Sequence, residues 1–258
     1  MAGPDIQSDF ERPYAEQQQF FRDKVNLPTE RWDDIWQAAH DRGFVVAGAT
    51  KAELLDDLRQ AADKAIDSGT TLDTFRKDFR DLVARHGWTG WTGEGTPGGE
   101  AWRTRVIYET NLRTSHAAGR WRQLTDPALL KTRPWWRYVH NDSVLSPRPH
   151  HKRWGDLRLT LPHDHPFWRT HFPPNGWGCR CRVTAVRAPR PGDRTAPPEG
   201  WDARGDDGLL PGIDKGWAYA PGAEAATPLR EIVERKLVNL DGRIGALMMQ
   251  SLAAVLGR

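Results

Sequence analysis

The sequence predicts an α+β fold, in which an N-terminal helical part packs with a small β-sheet-containing domain that carries a His/Cys cluster. Two observations predict this class: apolar residues recur at helical spacing up to about residue 123, and shorter alternating segments follow. Extended arms and a C-terminal helix complete the expected organisation. The expected parts are an N-terminal arm (1–28), a helical plus α+β domain (29–187), a Pro/Gly-rich tether (188–228) and a C-terminal helix (229–258).

Four helices are expected before residue 124, because apolar residues recur there three or four positions apart. Their expected positions are 29–43, 50–69, 72–87 and 100–123. The second begins with Thr50 and Glu53, which have the spacing of a capping box. Five glycines and a proline at 88–99 predict a flexible loop between the third helix and the fourth.

Two strands are expected in the second half of the chain, at 135–139 and 180–186, where the segments are short and apolar. Seven prolines and seven glycines at 188–228 argue against a compact core in that segment, which is expected to be a tether or a wrapping arm. The last helix has apolar residues in 4-3-4-3 spacing and is expected to dock on the protein's own core rather than form a coiled coil.

The charge is distributed unevenly along the chain. Residues 100–190 hold 17 Lys and Arg against 6 Asp and Glu, whereas residues 1–99 hold 12 against 18. This basic middle is rich in arginine, which binds phosphate and carboxylate groups, so its partner could be a nucleic acid or an acidic protein surface. The alternative is that these arginines pair with the acidic first third. In the fourth helix, Arg113, His116 and Arg120 follow Glu109 at helical spacing, as an anion-binding stripe or a solvated row of ion pairs.

Several classes of protein are excluded by the sequence. No run of 18 apolar residues occurs, which excludes a transmembrane helix. The N-terminus lacks the basic and then apolar pattern of a secretory signal, so we expect a cytoplasmic protein. The two cysteines are separated by one residue, which is too few for an easy disulfide, and there is neither a phosphate loop nor a dinucleotide-binding fingerprint.

A group of histidines precedes the two cysteines and suggests a metal site. Seven of the nine histidines lie between His116 and His171, and both cysteines follow within ten residues. Zinc would take thiolate and imidazole ligands, for which the candidates are Cys179, Cys181 and His151 with one of His163, His165 or His171. The set His151, His171, Cys179 and Cys181 is the candidate zinc site. The alternative is reduced structural thiols with hydrogen-bonded histidines, because the Cys-x-Cys spacing departs from that of common zinc folds.

A metal-dependent nuclease that uses this His/Cys cluster is the alternative function. A nuclease needs a general base, an acid and a cationic clamp on the phosphate, and His140, His150, His151 and Arg148 are residues of the required types. Their spacing does not identify a known reaction. Acyl transfer by a cysteine is not supported, because no nucleophile elbow surrounds Cys179 or Cys181.

Three stretches of the sequence stand out: Ser146–His151, Leu161–Trp168 and, most specifically, Phe172–Cys181, which contains the string PPNGWGCRC. They resemble the signature of the phage Mu protein F-like minor head, or head morphogenesis, proteins. The resemblance extends over roughly residues 50–222 and includes the helix pattern at 109–120 and the aromatic phrase at 216–222. The residues that match the family pattern are Arg148, His151, Trp168, Pro174, Asn175, Cys179 and Cys181.

The resemblance implies a minor head protein of a tailed phage or prophage, acting in capsid assembly at the portal and in DNA packaging or ejection. The implied partners are the phage portal protein, capsid or scaffold proteins and phage DNA, with no membrane, in the host cytoplasm during assembly and in the virion head. We expect no enzymatic activity and no cofactor other than the candidate structural zinc. Sequence-independent contact with DNA, or contact with the portal, is assigned to Arg113, His116, Arg120 and Arg148.

Overall fold

A computed structural model describes residues 14–225, which form seven α-helices, one 3-10 helix and five strands. The helices are α1 (Ala15–Arg22), α2 (Ala52–Ser68), α3 (Leu72–His86), α4 (Pro97–Leu124), α5 (Pro127–Thr132), α6 (Pro149–Asp156) and α7 (Phe167–His171), and the 3-10 helix is Gln37–Asp41. The strands are β1 (Val25–Asn26), β2 (Gly43–Phe44), β3 (Trp135–Val139), β4 (Thr160–Pro162) and β5 (Arg182–Val186). The α+β class is confirmed. The expected helix at 229–258 lies outside the described residues.

The helical core is formed mainly by α2 and α3, at the positions that the apolar spacing predicts. The apolar face of α2 buries Leu54, Leu55 and Leu58 against Phe75 and Phe79 of α3. This agrees with the periodicity, because residues three or four apart lie on the same side of a helix.

The ends of these two helices differ in how they are capped. At the start of α3 the hydroxyl of Thr71 accepts the N–H of Thr74, and Gly87 ends the helix in the left-handed conformation. The expected capping box at Thr50 is not formed, because α2 begins after Lys51, which has no side-chain capping bond.

Two N-terminal expectations are wrong. Part of the expected arm is helix α1, which packs on α4 and buries Phe20 and Phe21. Only two turns long, α1 is too short for its periodicity to be visible in the sequence. Of the expected helix at 29–43, only the short 3-10 helix forms. Trp32 instead contacts Trp177, and the Lys215 ammonium lies over the Trp32 ring. These long-range contacts take the place of packing along one face of a helix.

The second core lies on one face of a three-stranded antiparallel sheet with the order β4-β3-β5. Alternation along the central strand β3 buries Trp136 and Tyr138 on the same face. Trp136 pairs in register with Leu161 of β4 and with Ala185 of β5. Both strands predicted from the sequence are therefore present, and β5 begins at Arg182, two residues after the expected start.

Helix α4 connects the two cores. Its 28 residues correspond to a length of about 42 Å at 1.5 Å per residue. Ile107 lies in the helical core, whereas Ala117 and Leu124 lie in the sheet core. The helix therefore buries different faces along its length.

Among residues 14–225, no helix has both the length and the apolar character that a membrane crossing requires.

Residues 188–225 wrap around the sheet core without forming a helix or strand of their own, and we call them the wrap. Leu210, Ile213 and Trp217 from this segment are buried in the sheet core. The wrapping-arm interpretation therefore describes this segment, and the tether interpretation does not. The frequent prolines and glycines bend the chain while a few apolar side chains fix it to the core.

Replacing Gly119 with alanine should destabilise the protein, since a Cβ there would lie 2.9 Å from the backbone nitrogen of Gln17 in α1. We expect Gly119→Ala to lower the free energy of unfolding by about 1–3 kcal/mol, measured by urea denaturation. Gly98→Ala is the matched control in the same helix, because a Cβ at Gly98 meets open space and should be neutral or stabilising. Equal stabilisation by both variants would contradict the close packing of α1 on α4.

Candidate metal centre and basic cleft

Three of the four residues of the candidate zinc site come together in the structure. His151 lies in α6, and Cys179 and Cys181 lie just before β5. The His151 Nδ1 atom is 3.6 Å from the Cys179 Sγ atom and 3.8 Å from the Cys181 Sγ atom. The three donor atoms all lie within 4.8 Å of one another. His151 and Cys179 are buried, whereas Cys181 is half-buried, and both thiols are free of disulfide bonds.

A backbone carbonyl of the wrap fixes the orientation of the His151 ring. The Nε2 atom of His151 lies 2.7 Å from the carbonyl oxygen of Gly212, and the ring stacks on Trp154 with centroids 5.4 Å apart. Because a carbonyl only accepts hydrogen bonds, this contact assigns the proton to Nε2. The lone pair of Nδ1 therefore faces the two sulfurs.

The segment that precedes the cysteines is held by buried hydrogen bonds. The side-chain oxygen of the fully buried Asn175 accepts the Tyr138 hydroxyl at 3.1 Å, and its carbonyl accepts the Asp214 N–H at 3.0 Å. A Cβ at Gly176 would overlap the Asp214 carboxylate, so a larger residue there would displace that carboxylate. The Cys179 N–H donates to the Gly176 carbonyl at 3.1 Å. These contacts fix the backbone that presents the thiols.

Arg148 connects Phe172–Cys181, which we call the signature segment, to the wrap. Its guanidinium donates to the Asp214 carboxylate at 2.7 Å and to the Trp177 carbonyl at 2.9 Å. The N–H of Trp177 donates to the same carboxylate at 3.0 Å. Arg148 is also a predicted contact for DNA or the portal, and in the structure its guanidinium has two internal partners. Two other signature residues, Trp168 and Pro174, are buried beside the sheet core.

The two thiols differ in acidity because they are close together. The hydrogen bond with Cys181 holds the pKa of Cys179 well below its usual range. The same contact and burial raise the pKa of Cys181. One thiolate is therefore favoured at neutral pH, and the thiolate is the form that binds metals.

The other three histidine candidates do not reach the cysteines. The His171 ring stacks on Phe167 with centroids 4.3 Å apart, and its Nδ1 atom contacts the Thr170 hydroxyl at 2.8 Å. Burial lowers the pKa of His171 to about 3, so its imidazole is neutral. His163 and His165 contact backbone groups close to the start of β3 and α7, respectively. The position of His171 in the aromatic core explains why it does not complete the predicted set.

A basic cleft of about 810 Å³ runs between α4 and the segment 179–184. Its ionisable lining residues, apart from the cysteines and Tyr108, are Glu109, Arg113, His116, Arg120, Arg180 and Arg182. Four arginines thus accompany one carboxylate. Both Cys179 and Cys181 also line the cleft, so the metal-site candidates and the predicted stripe of α4 face the same space.

Part of the charge in the basic cleft is already paired. The Glu109 carboxylate lies 3.2 Å from the Arg113 guanidinium and 3.5 Å from that of Arg180. Arg120 donates to the side chain of Gln123 at 2.6 Å. The Glu109–Arg113 pair is of the kind that the ion-pair interpretation predicts. Arg182 is exposed, and it makes no ion pair within residues 14–225.

A sequence profile described as Phage Mu protein F like protein matches residues 56–184, half of the chain. The chain belongs to the phage Mu protein F-like family. The putative capsid assembly protein F of Escherichia phage Mu is 35% identical over 188 residues, which cover 69% of this chain and 41% of that protein. The Mu-like prophage FluMu F protein of Haemophilus influenzae is 36% identical over 162 residues, covering 61% and 38%. The chain thus spans about two fifths of the length of these relatives. No solved structure matches it.

The Mu F-like region includes the three donor residues but ends before the wrap. Gly212 and Asp214, which hold His151 and the signature segment, were not identified from the sequence. A backbone carbonyl such as that of Gly212 carries no signal in the sequence, because every residue has one. Asp214 has a side-chain signal, but its pairing with Arg148 spans 66 residues.

The buried neutral His171 makes stability depend on pH. Its pKa is about 3 when folded and about 6.5 when unfolded, so the unfolded state binds a proton first and stability falls as pH drops below 6.5. We expect His171→Phe to weaken this fall, which can reach about 1.4 kcal/mol per pH unit. Urea denaturation at several pH values between 7 and 4 measures how the free energy of unfolding changes with pH. The control variant is His150→Phe, because His150 is exposed, and its pH dependence should equal that of the wild type. Identical slopes for His171→Phe and wild type would contradict the prediction.

Proposed function

We propose that this protein acts in head assembly of a tailed phage or prophage, as a minor head protein at the portal. One observation carries the proposal: the chain belongs to the phage Mu protein F-like family, through a region that holds the whole signature segment. The name of one relative, putative capsid assembly protein F, supports the role in assembly. The finer parts of the proposal are the portal as partner and an action in DNA packaging or ejection.

The basic cleft supports a contact with DNA that does not read sequence. Its four arginines can pair with phosphate oxygens, which carry no sequence information. Arg180 and Arg182 are exposed at the rim, whereas Arg113 and Arg120 lie half-buried along α4. Binding of this kind releases counterions from DNA and is therefore weakened by salt. An acidic surface of the portal would meet the same arginines, and its binding would be weakened by salt in the same way.

A metal-dependent nuclease is the second candidate, and one observation favours it: both cysteines of the donor cluster line the basic cleft. Hydrolysis also needs a general base near the metal. Among the described residues, Glu109 is the one carboxylate that lines the cleft, and two arginines already hold it. This arrangement favours binding of a phosphate group over its hydrolysis.

The copy number in purified phage particles tests the proposal directly. Quantitative mass spectrometry of particles from the source strain should find this protein in a few copies, far fewer than the major capsid subunit. Portal and major capsid peptides serve as internal references. Absence of the protein both from particles and from assembly intermediates would contradict a role as a minor head component.

Removal of the exposed arginines should weaken DNA binding, and more so at low salt. For the double variant Arg180→Gln/Arg182→Gln, the slope of log K against log salt should fall by about 1.8, the value for two lost phosphate contacts. Fluorescence anisotropy with labelled duplexes of unrelated sequence measures this. The matched control is Arg105→Gln, because Arg105 is an exposed arginine of α4 that does not line the cleft. Unchanged binding at every salt concentration would remove the cleft from the proposed DNA contact.

The same labelled DNA, and a labelled RNA, distinguish assembly from nuclease action. We expect both to stay intact after incubation with the protein, with or without chelator. Cleavage that is lost in chelator and in His151→Ala would favour the nuclease instead.

A further inference from the structure

We propose that His151, Cys179 and Cys181 bind a zinc ion whose fourth position opens into the basic cleft, where a phosphate oxygen can replace water. The proposal goes beyond the assembly role, because it rests on the donor atoms and their surroundings.

The two distances from the His151 nitrogen to the sulfurs fit the edges of a zinc tetrahedron. Zn–S and Zn–N bonds of about 2.3 and 2.1 Å place sulfur and nitrogen about 3.6 Å apart in tetrahedral geometry. The two observed distances from His151 Nδ1 to Sγ are 3.6 Å for Cys179 and 3.8 Å for Cys181. The third pair, the two sulfurs, lies within 4.8 Å, so small side-chain movements bring all three donors to one metal ion.

A hydrogen bond to His151 cannot account for both thiols. With its proton on Nε2, the His151 ring offers one lone pair at Nδ1, which can accept one S–H donor. Two sulfurs nevertheless face that atom. A zinc ion uses the lone pair and both thiolates together, so it satisfies all three groups.

The surroundings of His151 are those of a metal-bound imidazole. Such a histidine usually donates its other N–H to a carbonyl or carboxylate, which fixes the ring and its tautomer. In this protein the carbonyl of Gly212 accepts the hydrogen bond from the Nε2–H of His151, and stacking on Trp154 restricts the ring further. The donor set of two thiolates and one imidazole selects zinc over magnesium or calcium, which prefer oxygen ligands.

The fourth ligand comes from the cleft. All nine histidines and both cysteines of the chain lie within residues 40–181, inside the described part. Within residues 14–225 only His151 groups with the two cysteines, so no further imidazole or thiolate of this chain is placed to bind. Both cysteines line the cleft, whereas His151 does not and is held by the Gly212 carbonyl of the wrap. The open position therefore faces the cleft, where Arg180 and Arg182 can hold an anion.

Metal analysis of the full chain, purified without chelator, is the first test. Inductively coupled plasma mass spectrometry should find one zinc per chain in the wild type and a trace in Cys179→Ser, Cys181→Ser and His151→Gln. The matched control is His150→Gln, because His150 is the exposed neighbour of His151 on α6 and should keep the full zinc content. Full zinc content in the three ligand variants would overturn the assignment, as would a folded wild type that neither contains nor takes up zinc.

Cobalt substitution tests the site without relying on variants that can fail to fold. Co²⁺ added to chelator-treated wild type should bind one ion per chain and give a thiolate charge-transfer band with the intensity of two Co–S bonds. Inorganic phosphate should then shift the visible d–d bands, and at higher concentration in Arg180→Gln/Arg182→Gln than in Arg105→Gln. A charge-transfer band without any response to phosphate would overturn the open position. Metal content is measured independently of phage particles, so failure here is distinguishable from failure of the assembly proposal.

Discussion

The packing of α4 against two cores at once determines where the rest of the protein lies. The helix is approached closely from two sides at adjacent residues, Ala118 and Gly119. A Cβ at Gly222 of the wrap would lie 2.8 Å from the Ala118 Cα atom, and one at Gly119 would meet the backbone of α1. Small residues at these contacts let α1 and the wrap lie directly on the helix. The basic cleft then forms along the part of α4 that faces β5.

The signature segment of the Mu F-like family has two structural consequences in this protein. Asn175 and Gly176 engage Asp214, which attaches the wrap to the segment. Cys179 and Cys181 then follow in positions that face His151. The wrap in turn supplies the carbonyl that orients His151, so the fold around the wrap and the geometry of the donor cluster depend on each other.

The proposed zinc site and the arginines would contribute different amounts of positive charge to the cleft. Two thiolates offset the charge of one Zn²⁺ ion, so the metal would add little net charge. The attraction of the cleft for phosphate would then come from the arginines. A zinc ion with two thiolate ligands would also polarise a bound oxygen less than one with neutral ligands alone. Both effects agree with a site that binds an anion during assembly rather than one that cleaves DNA.

The sequence by itself determined the elements whose signal is local. Helices α2, α3 and α4 and strand β3 follow from residue spacing, because side chains of one element share a face at fixed intervals. The motifs at 146–151 and 172–181 predicted the family and placed His151, Cys179 and Cys181 among the residues of interest. Only the tertiary structure decided that α1 is a helix, that the wrap is part of the sheet core and that His171 stays with the aromatic rings. These outcomes depend on contacts between residues far apart in the chain, for which spacing along the sequence carries no information.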